Sequence, residues 1–229
     1  MNRSQRPAAA AGSKMTLVDK TYAEIRQRIL ENEYHPGFQA LEQEIAGELG
    51  VSRTPVREAL IRLEHEGLVE MIPRRGFRVV PVVASDMKEI YEVLTSLECM
   101  ATELLVRRGA TDEEIAPMEE ATDDMEHALE NDDLEAWAAA DERYHRCLIE
   151  LCGNQRLINM AQTVRDQGHR ARMVTLRMRP RPLASTQEHR EVLEAIRNGD
   201  WKQARELHYE HRMRASGELT RILDKYQLP

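Results

Sequence analysis

Apolar residues recur every three or four positions in three short segments near the start of the chain, and this spacing predicts three amphipathic helices. After the third segment the pattern changes to two runs of β-type residues, at 68–72 and 76–80, joined by a turn that contains Arg74 and Arg75. The three apolar stripes are Val18, Tyr22, Ile25 and Ile29; Leu41, Ile45, Ala46 and Leu49; and Val56, Ala59, Leu60 and Leu63. Residues 15–80 are therefore predicted to form one small domain, three helices followed by a hairpin with a basic tip.

The third predicted helix carries a cationic flank beside its apolar stripe. Arg53, Thr54 and Arg57 fall on that flank at about 100° per residue, so they remain free to contact a partner. We expect the Ser52 hydroxyl to cap this helix, and Pro55 in the first turn gives up an amide that lacks a helical partner. A positive helix end with two guanidinium groups suits phosphates and guanine edges. The combination predicts a winged helix-turn-helix for double-stranded DNA, with a small two-stranded wing; the alternative is a solvated helix that merely carries arginine.

From Ser85 onward the periodicity is helical throughout, with glycine and capping residues between the segments. The predicted starts of six helices are Ser85 as a cap, Thr111 in a capping box, Asp132 or Asp133 as a cap, Gln155, Ala184 and Trp201. The fold class is therefore mostly α, with a C-terminal six-helix antiparallel bundle over residues 85–229. Residues 81–84 are expected to be a linker, and residues 1–14 a disordered leader.

Polar residues interrupt the apolar stripes of three of these bundle helices. Asp141 and His145 lie one turn apart on the third, His189 lies on the fifth, and His211 on the sixth. A buried carboxylate or imidazole needs a partner, and one divalent ion would satisfy all four groups. The set of one Asp and three His suits zinc, nickel or another borderline transition metal. Two alternatives stay open: hydrogen-bonded core histidines without a metal, and His208 as the ligand in place of His211.

Charge is distributed unevenly along the chain, whose net charge is -8. Residues 1–80 carry 12 Lys+Arg against 11 Asp+Glu, and the remainder carries 20 against 29. The excess of acidic residues therefore lies in the second domain. This distribution is compatible with DNA binding by the first domain, and the acidic second domain would limit non-specific adhesion. No apolar run approaches the ~20 residues of a membrane span, and the three cysteines lack zinc-finger spacing. A cytoplasmic protein with reduced thiols is expected.

The run from Val51 to Leu60, VSRTPVREAL, closely resembles the recognition motif of the GntR family of bacterial transcription regulators. The resemblance covers residues 17–80 and implies that Arg53, Thr54 and Arg57 contact DNA. It also implies that Gly76, at the tip of the wing, enters the minor groove beside Arg75. Gln43 stands on the second helix where fatty-acid-responsive relatives carry an arginine.

Residues 85–226 resemble the FCD ligand-binding domain that such regulators carry, and six helices rather than seven suggest its VanR-like subgroup. The matching segments are DERYH at 141–145, Gly153-Asn154, EHR at 188–190, AIRNGD at 195–200, and His211. The resemblance implies that Asp141, His145, His189 and His211 hold a metal beneath a cavity for a small organic acid. Leu94 stands where many relatives have an arginine that faces this effector. Arg165 or Arg172 is therefore expected to be the charge partner, with His208 nearby.

These features together predict a transcription regulator, expected to be a repressor, that reads two half-sites as a homodimer and responds to an organic acid bound over a metal. Segment 80–84 is expected to pass the ligand-induced change to the DNA-binding domain. Two alternatives are a regulator that senses the ion itself and a metal-dependent hydrolase. Four protein ligands and the lack of a His-Glu-x-x-His motif argue against the hydrolase, so no enzyme is expected.

Overall fold

The N-terminal domain of the computed structural model, which describes residues 15–226, consists of three helices and a small sheet. The elements are α1 (Leu17–Leu30), β1 (Gln39–Ala40), α2 (Glu42–Leu49), α3 (Arg53–His65), β2 (Val69–Ile72) and β3 (Gly76–Val79). Apolar residues of all three helices and of the sheet form a common core. The predicted winged helix-turn-helix is thus the observed fold.

The wing differs from the prediction because its sheet has three antiparallel strands in the order β1-β3-β2. The short strand β1 pairs with β3 through Gln39 opposite Arg78 and Ala40 opposite Phe77. Gly76 permits this pairing: it has a φ of +82°, and a Cβ there would overlap the carbonyl oxygen of Ala40. A two-residue strand shows no periodicity of its own, so the sequence pattern could not reveal it.

The start of α3 corrects a second expectation. Ser52 is the N-cap residue with an extended backbone, but its side chain makes no capping hydrogen bond to the helix. An N-cap hydroxyl usually accepts from the amide of the second or third helical residue, and the third here is Pro55, which has no N–H. The proline that favours the helix start therefore removes one of the two amides that Ser52 could have bound.

The C-terminal domain is a bundle of six α-helices over the rest of the described chain. The helices are α4 (Ala84–Arg107), α5 (Asp112–Glu130), α6 (Leu134–Glu150), α7 (Gln155–Thr175), α8 (Leu183–Arg197) and α9 (Trp201–Tyr226), with a 3-10 turn at Leu176–Met178. The capping box of Thr111 with Glu114 and the Asp133 cap are confirmed. Ser85 does not cap α4, because that helix begins one residue earlier, after Val83.

Helix α7 connects the two domains through three polar contacts. Asp166 forms an ion pair with Arg26 of α1, at 2.5 Å from Nη2 to Oδ2. Gln167 Nε2 donates a hydrogen bond to the backbone oxygen of Glu66 at 2.9 Å, and Arg170 donates to that of Val80. The bundle therefore holds the end of α3 and the exit of the wing directly, in addition to the covalent connection at 80–84.

Candidate DNA-binding face and candidate metal centre

Helix α3 exposes the cationic flank that the sequence predicts. Arg53, Thr54 and Arg57 are all exposed, while Val56 and Leu60 on the same helix are fully buried. Arg53 Nη2 lies 3.3 Å from Glu42 Oε2, and Arg57 forms no ion pair within residues 15–226. The burial of the apolar stripe therefore fixes the orientation of α3 and leaves its guanidinium groups accessible.

A groove of about 410 Å³ runs between α2, α3 and the wing. Arg53 and Arg57 line it on the helix side, and Arg74 and Gly76 on the wing side. Gln43, the residue in place of the relatives' arginine, also lines this groove. The structure thus brings Gly76 and the four side chains just named to one concave surface, which can accept a nucleic-acid backbone.

The two arginines at the tip of the wing, Arg74 and Arg75, lie in different positions relative to the groove. Both are exposed, but Arg74, which has a φ of +64°, lines the groove, whereas Arg75 is not among its lining residues. The Arg75 backbone oxygen accepts a hydrogen bond from Gln39 Nε2 at 3.2 Å. Arg74 was not singled out as a site residue from the sequence, although its place in the basic turn was a usable signal.

In the bundle, α6, α8 and α9 bring Asp141, His145, His189 and His211 together in the interior. His145 Nε2 lies 3.3 Å from His189 Nε2, and one ligand atom from each of the three histidines lies within 4.8 Å of the others. Asp141 Oδ1 lies 3.7 Å from His145 Nε2 and 3.8 Å from His189 Nε2. We call these four residues the histidine cluster.

Two carboxylates face the outer nitrogens of the histidine cluster. Glu98 Oε2 lies 3.2 Å from His145 Nδ1, and Glu188 Oε2 lies 2.7 Å from His211 Nδ1. Histidines that bind a metal commonly use one ring nitrogen for the ion and the other for a carboxylate. The arrangement leaves Nε2 of both residues for an ion, so the residues present fit a transition metal.

Glu98 was missed from the sequence although it is the most buried carboxylate near the cluster, with 0% exposure. It occupies the apolar stripe of α4, between Leu94 and Leu105, and that position was the available signal. Its Oε2 also lies 2.9 Å from His208 Nε2 and 3.1 Å from Arg212 Nε. His208 therefore faces Glu98, while His211 faces the other histidines.

The ionisation of the cluster follows from its buried charges. Burial alone would raise the pKa of Asp141, but His145 and Arg172 hold it well below its usual value. Burial and the neighbouring histidines lower the pKa of His189 and of His211 well below the usual value. These shifts favour the neutral form of the two imidazoles, which is the form that binds a metal. Burial would lower the pKa of His145 as well, but Glu98 and Asp141 raise it above its usual value.

Glu142 lies beside Asp141 on α6 and receives the predicted arginines. Arg165 Nε lies 3.0 Å from Glu142 Oε1, and Arg172 donates a hydrogen bond to Oε2 of the same carboxylate. Burial raises the pKa of Glu142, but His169 and these arginines bring it down to about 2. Arg172 Nε also lies 3.6 Å from Asp141 Oδ2, so Arg172 reaches the histidine cluster while Arg165 contacts Glu142.

Leu94, the residue in place of the relatives' arginine, is fully buried. It packs toward α7, where a Cβ on Gly168 would lie 3.3 Å from Leu94 Cδ2. The close approach of α4 and α7 at this point takes the space that a longer side chain would need.

Two family models match the chain. Residues 17–79 match the model described as bacterial regulatory proteins, gntR family, and residues 89–214 match the FCD domain. The chain belongs to the GntR family of bacterial transcription regulators and carries an FCD domain. The resemblance drawn from the sequence is confirmed at this level.

Individual comparisons agree with this assignment. An uncharacterized HTH-type transcriptional regulator in the TAR-I ttuE-ttuC' intergenic region of Agrobacterium vitis is 45% identical over 134 residues, which are 58% of this chain and 78% of the relative. The structure of E. coli McbR/YncC superposes with a TM-score of 0.81 at 20% identity, covering 91% of this chain and 99% of that one. The metal-free FCD domain of TM0439, a putative transcriptional regulator, gives a TM-score of 0.53 at 24% identity, covering 63% of this chain and 98% of that one.

Proposed function

We propose that this GntR-family regulator is a cytoplasmic, homodimeric repressor whose operator affinity is controlled by a small organic acid bound over a metal ion. The observation that supports the sensor most directly is the histidine cluster with its two outer carboxylates, Glu98 and Glu188. The subgroup that fits a six-helix FCD domain is the VanR-like one. None of the helices in residues 15–226 has the length and apolar character that crossing a bilayer requires.

The proposed DNA contacts are Arg53, Thr54 and Arg57 on α3, with Arg75 and Gly76 on the wing. Arg74 joins this set because it lines the groove opposite Arg57. Exposed guanidinium groups on a helix end can pair with guanine edges, whereas wing residues mainly contact phosphates. Gly76 acts in addition through the fold, since it permits β1 to pair with β3.

The proposed metal ligands are Asp141, His145, His189 and His211, with zinc or nickel as the ion. Glu98 Oε2 already faces His145, His208 and Arg212, so His208 is better placed as a partner of Glu98 than as a ligand. Such an ion supplies an electrophilic anchor for a carboxylate. The chain's own residues keep the imidazoles oriented and the site buried.

The proposed coupling between the domains runs through α7. Arg172 on this helix faces Asp141, and Arg170, two residues earlier, donates to Val80 at the exit of the wing. A ligand that changes the partner of Arg172 thereby changes a helix that also holds Arg26 and Glu66 of the DNA-binding domain. This direct path acts together with the segment at 80–84.

Operator binding under defined metal loading tests the proposal. Fluorescence anisotropy would compare metal-free, zinc-loaded and nickel-loaded protein, each with and without a panel of small organic acids. An acid that lowers operator affinity only in the metal-loaded protein supports it, and reciprocity requires that DNA weaken binding of the acid by the same factor. A change with the ion alone would instead identify a metal-responsive regulator, and no change with any acid would refute the organic-acid effector.

A further inference from the structure

A second group of polar side chains lies buried beside the histidine cluster. Its members are Tyr91 and Thr95 on α4, Arg172 on α7 and Arg212 on α9, which we call the donor cluster. Their exposed fractions are only 1%, 4%, 6% and 1%. Four side chains that can donate hydrogen bonds are thus withdrawn from water at a junction of three helices.

The donor cluster and the histidine cluster adjoin each other. The Arg212 guanidinium carbon lies 5.1 Å from the centre of the Tyr91 ring, and Arg212 Nε lies 3.1 Å from Glu98 Oε2. Glu98 in turn contacts His145. On the other side, Arg172 lies against Asp141. The two clusters are therefore in direct contact, through Glu98 on one side and Arg172 on the other.

Hydrogen-bond capacity in this region is unbalanced. Four donor atoms have neither a hydrogen-bond nor an ion-pair partner among residues 15–226: Tyr91 Oη, Thr95 Oγ1, Arg172 Nη1 and Arg212 Nη2. The unmatched carboxylate acceptor beside them is Glu98 Oε1. A buried donor without an acceptor is costly, and more so when it is charged. The site therefore lacks acceptors, and an anion with several oxygen atoms would supply them.

Access to the donor cluster is provided by a groove of about 650 Å³ between α4 and α9. Tyr91 and Thr95 line this groove, together with Lys88, Arg214 and Arg221. Lys88 and Arg221 attract an anion, while Glu92 also lines the groove and Arg214 is already paired with Glu188 at 2.6 Å. The groove thus reaches two of the four donor-cluster residues, Tyr91 and Thr95, while Arg172 and Arg212 are buried and do not line it.

We propose that the donor cluster binds one carboxylate of a small dicarboxylate whose other carboxylate is directed to the histidine cluster. This inference rests on the proposed function, because it specifies the class of organic acid. A single carboxylate offers about four lone pairs, which four unmatched donor atoms together with a metal centre exceed.

Isothermal titration calorimetry with straight-chain dicarboxylates from malonate to adipate, each against a monocarboxylate of equal length, tests this site. Wild-type protein would be used both zinc-loaded and metal-free, at constant ionic strength. We expect one chain length to bind the zinc-loaded protein at least about tenfold more tightly than its monocarboxylate, the effect of one charged hydrogen-bonded contact. Equal affinities across all pairs would overturn the inference.

Three variants identify the residues. Tyr91→Phe keeps the ring against Arg212 and removes only the hydroxyl group, so it serves where Arg212→Gln fails to fold. Both should weaken the dicarboxylate by about tenfold and leave the monocarboxylate unchanged. The control is Arg205→Gln on α9, the helix that carries Arg212. The side chain of Arg205 is 54% exposed. Dicarboxylate affinity that is unchanged in Tyr91→Phe and in a folded Arg212→Gln would overturn the assignment.

The same titrations, repeated with operator DNA present, separate this inference from the proposed function. If monocarboxylates shift operator affinity as strongly as dicarboxylates, an organic-acid sensor remains and the donor cluster has no such role. If dicarboxylates bind through Tyr91 and Arg212 but no acid shifts operator affinity, the site stands and the proposed control of DNA binding fails.

Discussion

The DNA-binding face and the sensor interior both depend on arginine, yet they use it in opposite ways. Arg57 is exposed and forms no ion pair within residues 15–226, whereas Arg172 is buried against Glu142 and Asp141. An exposed guanidinium group keeps its hydration and can exchange it for a phosphate or a base edge. A buried one must be paired before any ligand arrives. We therefore expect the first region to bind its partner through unpaired charge, and the second to bind its ligand through exchange of ion-pair partners.

The largest effect that would test this contrast is expected from His189→Ala. Removing this fully buried histidine, a proposed ligand, should lower metal content from about one ion per chain and reduce the melting temperature, because an ion bound only by the folded state stabilises it. Elemental analysis and thermal unfolding measure both. His127→Ala is the control, since its side chain is 78% exposed on α5. Full metal content in His189→Ala would mean that another residue, such as His208, is the true ligand.

Glu98→Gln tests whether paired burial is what prepares the sensor. The amide keeps the size of the side chain but contacts His145 and Arg212 without a charge, so metal affinity should fall by about 10–100-fold. Competition with a coloured chelator gives the affinity. Glu103→Gln, on the same helix but nearer the surface, should leave it unchanged. An unaltered affinity in Glu98→Gln would show that this carboxylate does not orient His145.

Arg57→Ala tests the unpaired side of the comparison. Loss of its contact should cost about 1–3 kcal/mol of specific operator binding while the melting temperature stays unchanged. Anisotropy titration measures the affinity, and Arg62→Ala is the matched control. Arg62 lies on the same helix but pairs with Asp19, at 2.9 Å from Nη1 to Oδ1. Equal operator affinity in Arg57→Ala and wild type would refute the proposed contact of α3 with DNA through Arg57.

The ion pair between Arg26 and Asp166 lies between these two extremes, because it is partly buried and joins the domains. A double-mutant cycle with Arg26→Gln and Asp166→Asn should give a coupling energy of about 0.5–3 kcal/mol in unfolding. The variants of this cycle should also differ from wild type in how strongly an effector alters operator affinity. Strictly additive effects on both quantities would show that the pair does not connect the domains.

Arg75→Ala should have the smallest effect, because Arg75 is exposed at the tip of the wing and lies outside the groove. We expect a uniform weakening across DNA sequences and a decrease of about 1 in the slope of log affinity against log salt. Anisotropy at several salt concentrations measures this slope. A loss of discrimination between operator and random DNA would instead place Arg75 at a base edge.

Periodicity predicted the elements that bury one face. The stripe of Val56, Leu60 and Leu63 fixed the orientation of α3, and the helices of the bundle followed from the same argument. Strand β1 was not predicted because two residues are too few to show a period. Its pairing also depends on the absence of a Cβ at Gly76, which lies 36 positions after Ala40. The predicted capping hydrogen bond of Ser52 does not form, because Pro55 lacks one of the two amides that the hydroxyl could have bound. Choosing a cap by residue type alone does not take the third helical residue into account.

Of the proposed metal centre, the sequence predicts only the arrangement of residues that share one helix. Asp141 and His145 were recognisable because they share one stripe and lie one turn apart. Glu98 was not, since one carboxylate among apolar residues has meaning only when His145 and Arg212 from other helices are known to face it. The donor cluster depends in the same way on α4, α7 and α9 meeting, which is a property of tertiary structure.

The contacts of α7 with the DNA-binding domain have a consequence for modularity. Two of the three are made to backbone oxygens, those of Glu66 and Val80, and only the ion pair with Arg26 requires a particular side chain. A recognition helix could therefore change its sequence without losing the connection, provided that the backbone path is kept. Exchange of α3 between family members should yield chimeras that answer the same chemical signal at a different operator.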